Sequence, residues 1–502
     1  MNHWGLGGLV ALIGCSAGPD DSGKAEPTDS SAETTGEPAC EVVFSETIEA
    51  IPFVRWTAPK SASGHVTYGL TSSTERQTPS RSGSEQSHPI LGLKAGSSYQ
   101  VEAVTTFADG TTERCGPLEV TTPQPPAELK RFLVTVEPDE ERTELWGGYI
   151  LTTLIQTDTA WTVLLDQDGD YVWWYPMPED AIVVTSLPSL DGAGVAWGEY
   201  DRLKQRDIGL VRQVRLDGTF TQTTRTYLGH HGFIEHDDGN LGWLALTFEE
   251  VPNPQAEKGG TLLLASDEIL EAPVGEMDET AHTERFNMFA EGGMEVGLSC
   301  GHQRADFDRY GYEDLHEWTH TNSIVFVPEE SAYFLYSKYT DSLIKLARDG
   351  KTKRLERIWQ IGGRGSEFTF ADGSPTWSEE DPSALWNHGH LSHVWSGGFA
   401  LFDNGDHKLD DTSRLVEYRI NEAEKTIEEV YAWADHAGGH TASMGDVRKL
   451  PGGNYLAGWS SLGRINEVDP NTGERVWEVQ GDLGLVVGRV YPIPDPYQTD
   501  LW

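Results

Sequence analysis

The chain has 502 residues, more than one ordinary hydrophobic core supports, so two or more folded units are expected. With 37 basic against 80 acidic residues it carries a formal charge of −43, which sets it against nucleic acid and anionic membrane surfaces as partners. The same field repels an anionic substrate, so any anion site must be lined locally by cations or hydrogen-bond donors.

Residues 1–15 close an apolar run, Leu6 to Ile13, with Leu12-Ile13-Gly14-Cys15. The run is too short to span a bilayer as a mature helix. It resembles the lipobox of bacterial lipoproteins, which implies a signal peptide removed ahead of a lipidated Cys15. Residues 16–39 are Ser, Thr, Gly, Pro, Asp and Glu with almost nothing to bury, and read as a flexible tether. The lipid would be the only membrane contact, on an extracytoplasmic face of the cell envelope.

From residue 40 to 122 the pattern changes to short alternating strands, such as Phe53-Val54-Arg55-Trp56 and Tyr99-Gln100-Val101-Glu102-Ala103-Val104. The segment Leu91 to Tyr99 resembles the fibronectin type III corner, where a Tyr hydroxyl ties down a β-sandwich. Cys40 and Cys115 flank this module and could bridge its first and last strands in an oxidising compartment. Cys300 is left over, and a buried thiol is the simpler reading of it. Residues 123–145 hold a stiff Pro-rich linker, Thr122-Pro123-Gln124-Pro125-Pro126, and the first strand of the next unit.

Residues 146–502 form one long β-rich unit. Its Gly, Pro and Trp content, with few long apolar helical runs, points to many short strands and tight turns. A turn containing Asp and Gly, followed by β-branched residues and often Trp, recurs. The copies are Asp166–Trp174, Leu216–Phe220, a weak one at Ala265–Leu270, Arg348–Trp359, Asn421–Trp433 and Asp469–Trp477. A repeat every roughly 50 to 80 residues fits a β-propeller with loop insertions. The fold expected is therefore all-β: a six-bladed propeller, with seven blades as the alternative, preceded by a small β-sandwich. Asp166-Gln167-Asp168-Gly169-Asp170 has spacing that would suit calcium, although a plain hairpin turn explains it as well.

Histidine falls at the same point of four repeats, just before an inner hairpin. His231 precedes Asp238-Gly239-Asn240, and His320 precedes Ile324-Val325-Phe326. His388 and His390 precede Gly397-Gly398-Phe399, and His440 precedes Gly452-Gly453-Asn454. In a propeller these points converge on the axial funnel, so a shared site is expected there. A zinc or copper site on His388, His390 and His393 is disfavoured, because residues three apart in a strand face opposite ways. No metal is expected there.

The runs His320-Thr321-Asn322-Ser323-Ile324, Ile361-Gly362-Gly363, Phe402-Asp403-Asn404-Gly405, Arg414-Leu415-Val416-Glu417-Tyr418 and Gly463-Arg464-Ile465-Asn466-Glu467-Val468-Asp469 together resemble the bacterial arylsulfate sulfotransferases that work without a nucleotide sulfate donor. The resemblance implies a six-bladed propeller outside the cytoplasm, a small aromatic sulfate donor, a phenolic acceptor and no cofactor. It makes His390 the sulfate-accepting nucleophile, with His388 as its rival. His320, Asn322 and Lys338 would hold the sulfuryl oxygens, and His231 would move the phenolic proton. Lys338 stands where the family has Arg, keeping the charge but not the bidentate fork. Trp318, Trp386 and Tyr339 are the aromatic residues expected to stack on substrate rings. The alternative from another class is a non-catalytic, lipid-anchored propeller that displays a binding surface. A homodimer is left open.

Overall fold

The computed structural model describes residues 39–497, apart from 146, 203–205, 254–259, 299, 301–304, 307–309, 313–314, 381–384, 408–411 and 436–438. The expected signal peptide, Cys15 and nearly all of the tether lie outside the described residues.

Residues 40–121 make two antiparallel sheets, one of three strands and one of five. Alternation does this: Val54, Trp56, Val66, Tyr68, Tyr99, Val101 and Ala103 point inward and form one apolar cluster. Cys40 and Cys115 are joined as a disulfide between the first and last strands. The Lys94 backbone N–H donates to the Tyr99 hydroxyl at 2.9 Å, the corner tie expected of the Leu91–Tyr99 segment.

From residue 132 onward six sheets follow one another, each built from neighbouring antiparallel hairpins, in a propeller-like array. The chain closes this array twice. Phe132–Val136 pairs with Glu474–Gly481 at the outer edge of the last sheet, while Val486–Ile493 pairs with Tyr149–Ile155 in the first. Buried tryptophans lock sheet to sheet through their indole N–H groups. Trp173 donates to the Leu216 carbonyl at 3.0 Å, and Trp477 donates to the Gln167 carbonyl at 2.7 Å. Leaving either indole N–H without its carbonyl would cost about 1–3 kcal/mol, so these bonds tie neighbouring sheets together as well as filling the core.

Five of the six Asp/Gly copies are turns between the third and fourth strands of a sheet, counted from its inner edge. The weak copy at Ala265–Leu270 is not. It lies in the middle of Thr261–Pro273, a 13-residue strand paired along its length with Asn240–Pro252. Asp267 there is buried and accepts from the Thr321 N–H at 2.8 Å and from the Thr319 hydroxyl, so its carboxylate braces a neighbouring sheet instead of closing a turn.

The Asp166-x-Asp-x-Asp turn meets the sandwich. The Lys94 ammonium lies 3.1 Å from Asp166 and 3.2 Å from Asp170, and it also contacts Asp168. A cation does converge on these carboxylates, but it is a side chain of the first module.

Candidate active site

Three inner strands begin with the same backbone device. His231, His320 and His388 have φ of 52°, 49° and 53°, in the left-handed region that non-glycine residues rarely enter. Each such residue costs on the order of 1–3 kcal/mol and persists only where the surroundings enforce it. The fourth member of this set is Met444, with φ of 62°, and not His440. His440 sits four residues upstream, where Thr441 is held by the Ser413 hydroxyl and the His440 Nε2 lies 2.9 Å from Asp406 Oδ1.

The left-handed residue lies within Gly229–Glu235 in the first case, directly precedes Thr321–Val327 in the second, and precedes His390–Trp395 in the third with Gly389 between. Asn322 and His390 lie beside His231, Thr185, Met444 and Arg489 around one small cavity. The His320 ring centroid is 4.9 Å from that of His231 and 5.0 Å from that of Tyr339. His320 Nδ1 lies 2.7 Å from Glu317 Oε2, which orients its ring. Lys338 Nζ stands 4.0 Å from Asp406 Oδ2. Its charge also acts on His390. The structure thus brings His231, His320, Asn322, Lys338 and His390 into one neighbourhood, although the chain separates them widely.

His390 is fully built in. Its Nδ1 lies 3.0 Å from Asn404 Oδ1. The Asn404 amide nitrogen donates to the Met444 carbonyl at 2.9 Å and to the Thr441 carbonyl, so its oxygen must be the end that faces the imidazole. A carbonyl oxygen only accepts, hence Nδ1 carries the proton and Nε2 keeps its lone pair. Burial, and then the charge of Lys338, hold the His390 pKa well below the ordinary imidazole range. The ring is therefore neutral at neutral pH. Gly389 is needed beside it: a Cβ there would lie 2.8 Å from Leu401 Cδ2 and 3.0 Å from the Phe402 carbonyl. Its own carbonyl accepts from Asn322 Nδ2 at 2.9 Å, tying the Asn322 amide to the strand that carries His390.

His388 faces elsewhere. Its backbone N–H donates to Asp341 Oδ1 at 2.6 Å, its Nδ1 lies 3.1 Å from Asp406 Oδ2, and its Nε2 lies 3.3 Å from Cys300 Sγ. Burial lowers its pKa to about 4. Both of its ring nitrogens are thus in contact with neighbouring side chains. Tyr339 lies between His320 and His388, with ring centroids at 5.0 and 5.9 Å. Trp318 does not face the cavity: it is buried and stacks on Phe289 in the apolar core. Trp386 is likewise packed among Tyr336, Phe399 and Tyr418. His393 accepts from the Lys449 N–H at 3.2 Å and stacks near Trp395, apart from His388 and His390.

Sequence reasoning missed Arg489. Its guanidinium reaches the Leu391 carbonyl at 2.9 Å, Ser323 Oγ at 3.0 Å, Asp446 Oδ1 at 3.2 Å and the Asn322 carbonyl at 3.3 Å. One side chain from Val486–Ile493 therefore clasps the inner strands of three other sheets. The only signal in the sequence is an Arg inside an otherwise apolar run, Val486-Val487-Gly488-Arg489-Val490. Asp341, also missed, is half-buried and gathers the 386–389 turn; desolvation raises its pKa to about 8.

The family described as Arylsulfotransferase (ASST) matches residues 133–485. Arylsulfate sulfotransferase AssT of Escherichia coli O6:H1 is 24% identical over 383 residues, which is 62% of this chain and 61% of that protein. The chain thus spans less than two thirds of that relative's length. Among solved structures, TolB from Acinetobacter baumannii is 10% identical, with 80% of this chain and 81% of that chain covered and a TM-score of 0.38. The periplasmic gluconolactonase PpgL of Pseudomonas aeruginosa is 12% identical, with 86% and 99% covered and a TM-score of 0.33.

Proposed function

The chain belongs to the arylsulfotransferase family, and from that premise we propose that it moves a sulfuryl group from an aryl sulfate ester to a phenol, without a nucleotide donor. The reaction runs in two halves. His390 Nε2 attacks sulfur, the N–S bond forms, and the S–O bond to the aryl group breaks. The phenolate leaves with a proton from the His231 side of the cavity. An acceptor phenol then gives up its proton there and attacks sulfur, and the N–S bond breaks to restore His390. Such transfers ask little covalent work of a protein beyond the nucleophile, and much positioning of charge. Lys338, His320 and Asn322 supply that charge and those donors, which answers the requirement set by an acidic chain.

The observation that carries this reading is the neutral His390, its tautomer set by Asn404, in one cavity with His231 and Asn322. The Cys40–Cys115 disulfide supports a compartment outside the cytoplasm, and with it the lipoprotein reading of Cys15. The test is turnover of a chromogenic aryl sulfate with and without added phenol. Phenol-stimulated release, abolished in His390→Ala, with sulfate trapped on His390 and detected by mass spectrometry of the quenched enzyme, is the expected result. A phenol-independent rate, or full activity in His390→Ala, overturns it.

A further inference from the structure

Next to the cavity, three metal-binding side chains that the transfer reaction does not use converge. Cys300 Sγ lies 3.3 Å from His388 Nε2 and 3.4 Å from His407 Nε2, and all three donor atoms fall within 4.8 Å of one another. The two imidazoles meet edge to face, with centroids 4.5 Å apart and planes at 70°. We propose that Cys300, His388 and His407 bind one zinc ion.

Three features point to a cation and not to a chance contact. The first is spacing. Zinc bonds of about 2.3 Å to sulfur and 2.0–2.1 Å to nitrogen place S and N roughly 3.5 Å apart in a tetrahedral site, close to the separations seen. The second is proton count. A thiol carries one proton and can donate to one imidazole at a time, whereas a cation satisfies the thiolate and both lone pairs together. The third is the outer shell. His388 Nδ1 lies 3.1 Å from Asp406 Oδ2, and Asp406 is held in turn by His440 Nε2 at 2.9 Å. A carboxylate on the far nitrogen fixes the tautomer in which Nε2 presents its lone pair toward Cys300 and His407, the usual support of a metal-bound histidine. His407 is itself fixed by its backbone N–H, which donates to Asn387 Oδ1 at 2.8 Å.

Burial runs from His388, which is buried, through Cys300, half-buried, to His407, which is exposed. The ion would enter from the His407 side, with water in the fourth position. Binding displaces the Cys300 thiol proton, so one proton leaves for each zinc taken up. The site goes beyond the sulfotransferase reading and stands or falls separately from it.

The experiment is zinc titration of the untagged full chain by equilibrium dialysis, with cobalt(II) as a spectroscopic substitute. The expected result is one equivalent of zinc, one proton released, and a thiolate-to-cobalt charge-transfer band with tetrahedral-intensity visible bands. Cys300→Ser removes the band. His407→Ala, a change at an exposed residue, weakens zinc binding at least tenfold with an unchanged circular dichroism spectrum. His390→Ala, which ends sulfuryl transfer, keeps both zinc and the band. Failure of the wild-type chain to retain zinc, a band that survives Cys300→Ser, or equal affinity in His407→Ala overturns the site.

Discussion

His390 Nδ1 and Asn404 Oδ1, 3.0 Å apart, fix which nitrogen of the imidazole can react. An amide cannot be rotated to present its nitrogen here, because that nitrogen is already spent on two carbonyls. Asn404→Ala should therefore lower kcat by about 10- to 100-fold, in the range expected for misplacing a catalytic group, with a smaller change in KM. It should also cost about 1–3 kcal/mol of stability by orphaning the Met444 and Thr441 carbonyls. Steady-state kinetics together with nitrogen NMR of the His390 tautomer separate the two effects. An unchanged tautomer with unchanged kcat rules out the positioning role.

Lys338 is the cation whose charge acts most strongly on His390, ahead of Arg489, and it offers a point charge, not a planar fork. Lys338→Met should reduce kcat/KM about 100-fold, the usual cost of losing one group that stabilises developing negative charge. Lys338→Arg should retain most of the activity. If both variants behave alike, charge is not what this position supplies.

Arg489 holds three inner strands through one buried guanidinium, and Asp446 is its anionic partner at 3.2 Å. Arg489→Met leaves that carboxylate to Arg448 alone, 3.3 Å away, and strips the Leu391 and Asn322 carbonyls of their buried donor, which should cost about 1–3 kcal/mol. Adding Asp446→Asn should recover part of the loss. Urea unfolding of the single and double variants measures the coupling.

His88 and His236 are buried and neutral, each with its pKa lowered to about 4, chiefly by burial. Above the ordinary value of 6.5 both folded and unfolded chains are neutral at these rings, and nothing is lost. As pH falls below 6.5 the unfolded chain takes up protons that the folded chain refuses until about 4. Stability should therefore fall across that window and level off below it, by on the order of 2–3 kcal/mol for each ring. His88→Gln should flatten the curve by one such step. Urea midpoints at pH 7.5 and 4.5 give the comparison, and a variant curve parallel to the wild type would refute it.

Much of the fold was legible because turns and periodicity are local. Asp/Gly signals placed five outer hairpins, and alternating residues placed the sandwich core. The copy at Ala265–Leu270 failed because composition does not say whether an Asp closes a turn or points from a straight strand into the next sheet. The site was half legible. Three histidines preceding inner hairpins marked the funnel, since topology gives that position one destination. Met444 took the place expected for His440 because four extra residues shift the register, and no residue type announces a left-handed φ there. Asn404 stands in the Phe402–Gly405 run that carries the family resemblance, but nothing local says that its side chain reaches across to the Thr441–Met444 segment. Trp318 was read as a rim residue; its indole is consumed by packing on Phe289. Arg489 was invisible because every partner lies more than forty residues away.

The double closure of the propeller has a consequence for biosynthesis. The sheet that opens the array lacks its innermost strand until Val486–Ile493 has been made, and Arg489 travels on that strand. A nascent polypeptide stopped short of it would hold every histidine of the funnel and still have no clasp to draw them together. The funnel would thus be assembled last, once residues 486–493 have been made, and a product that stops before them should lack the activity proposed for it however much of it has folded.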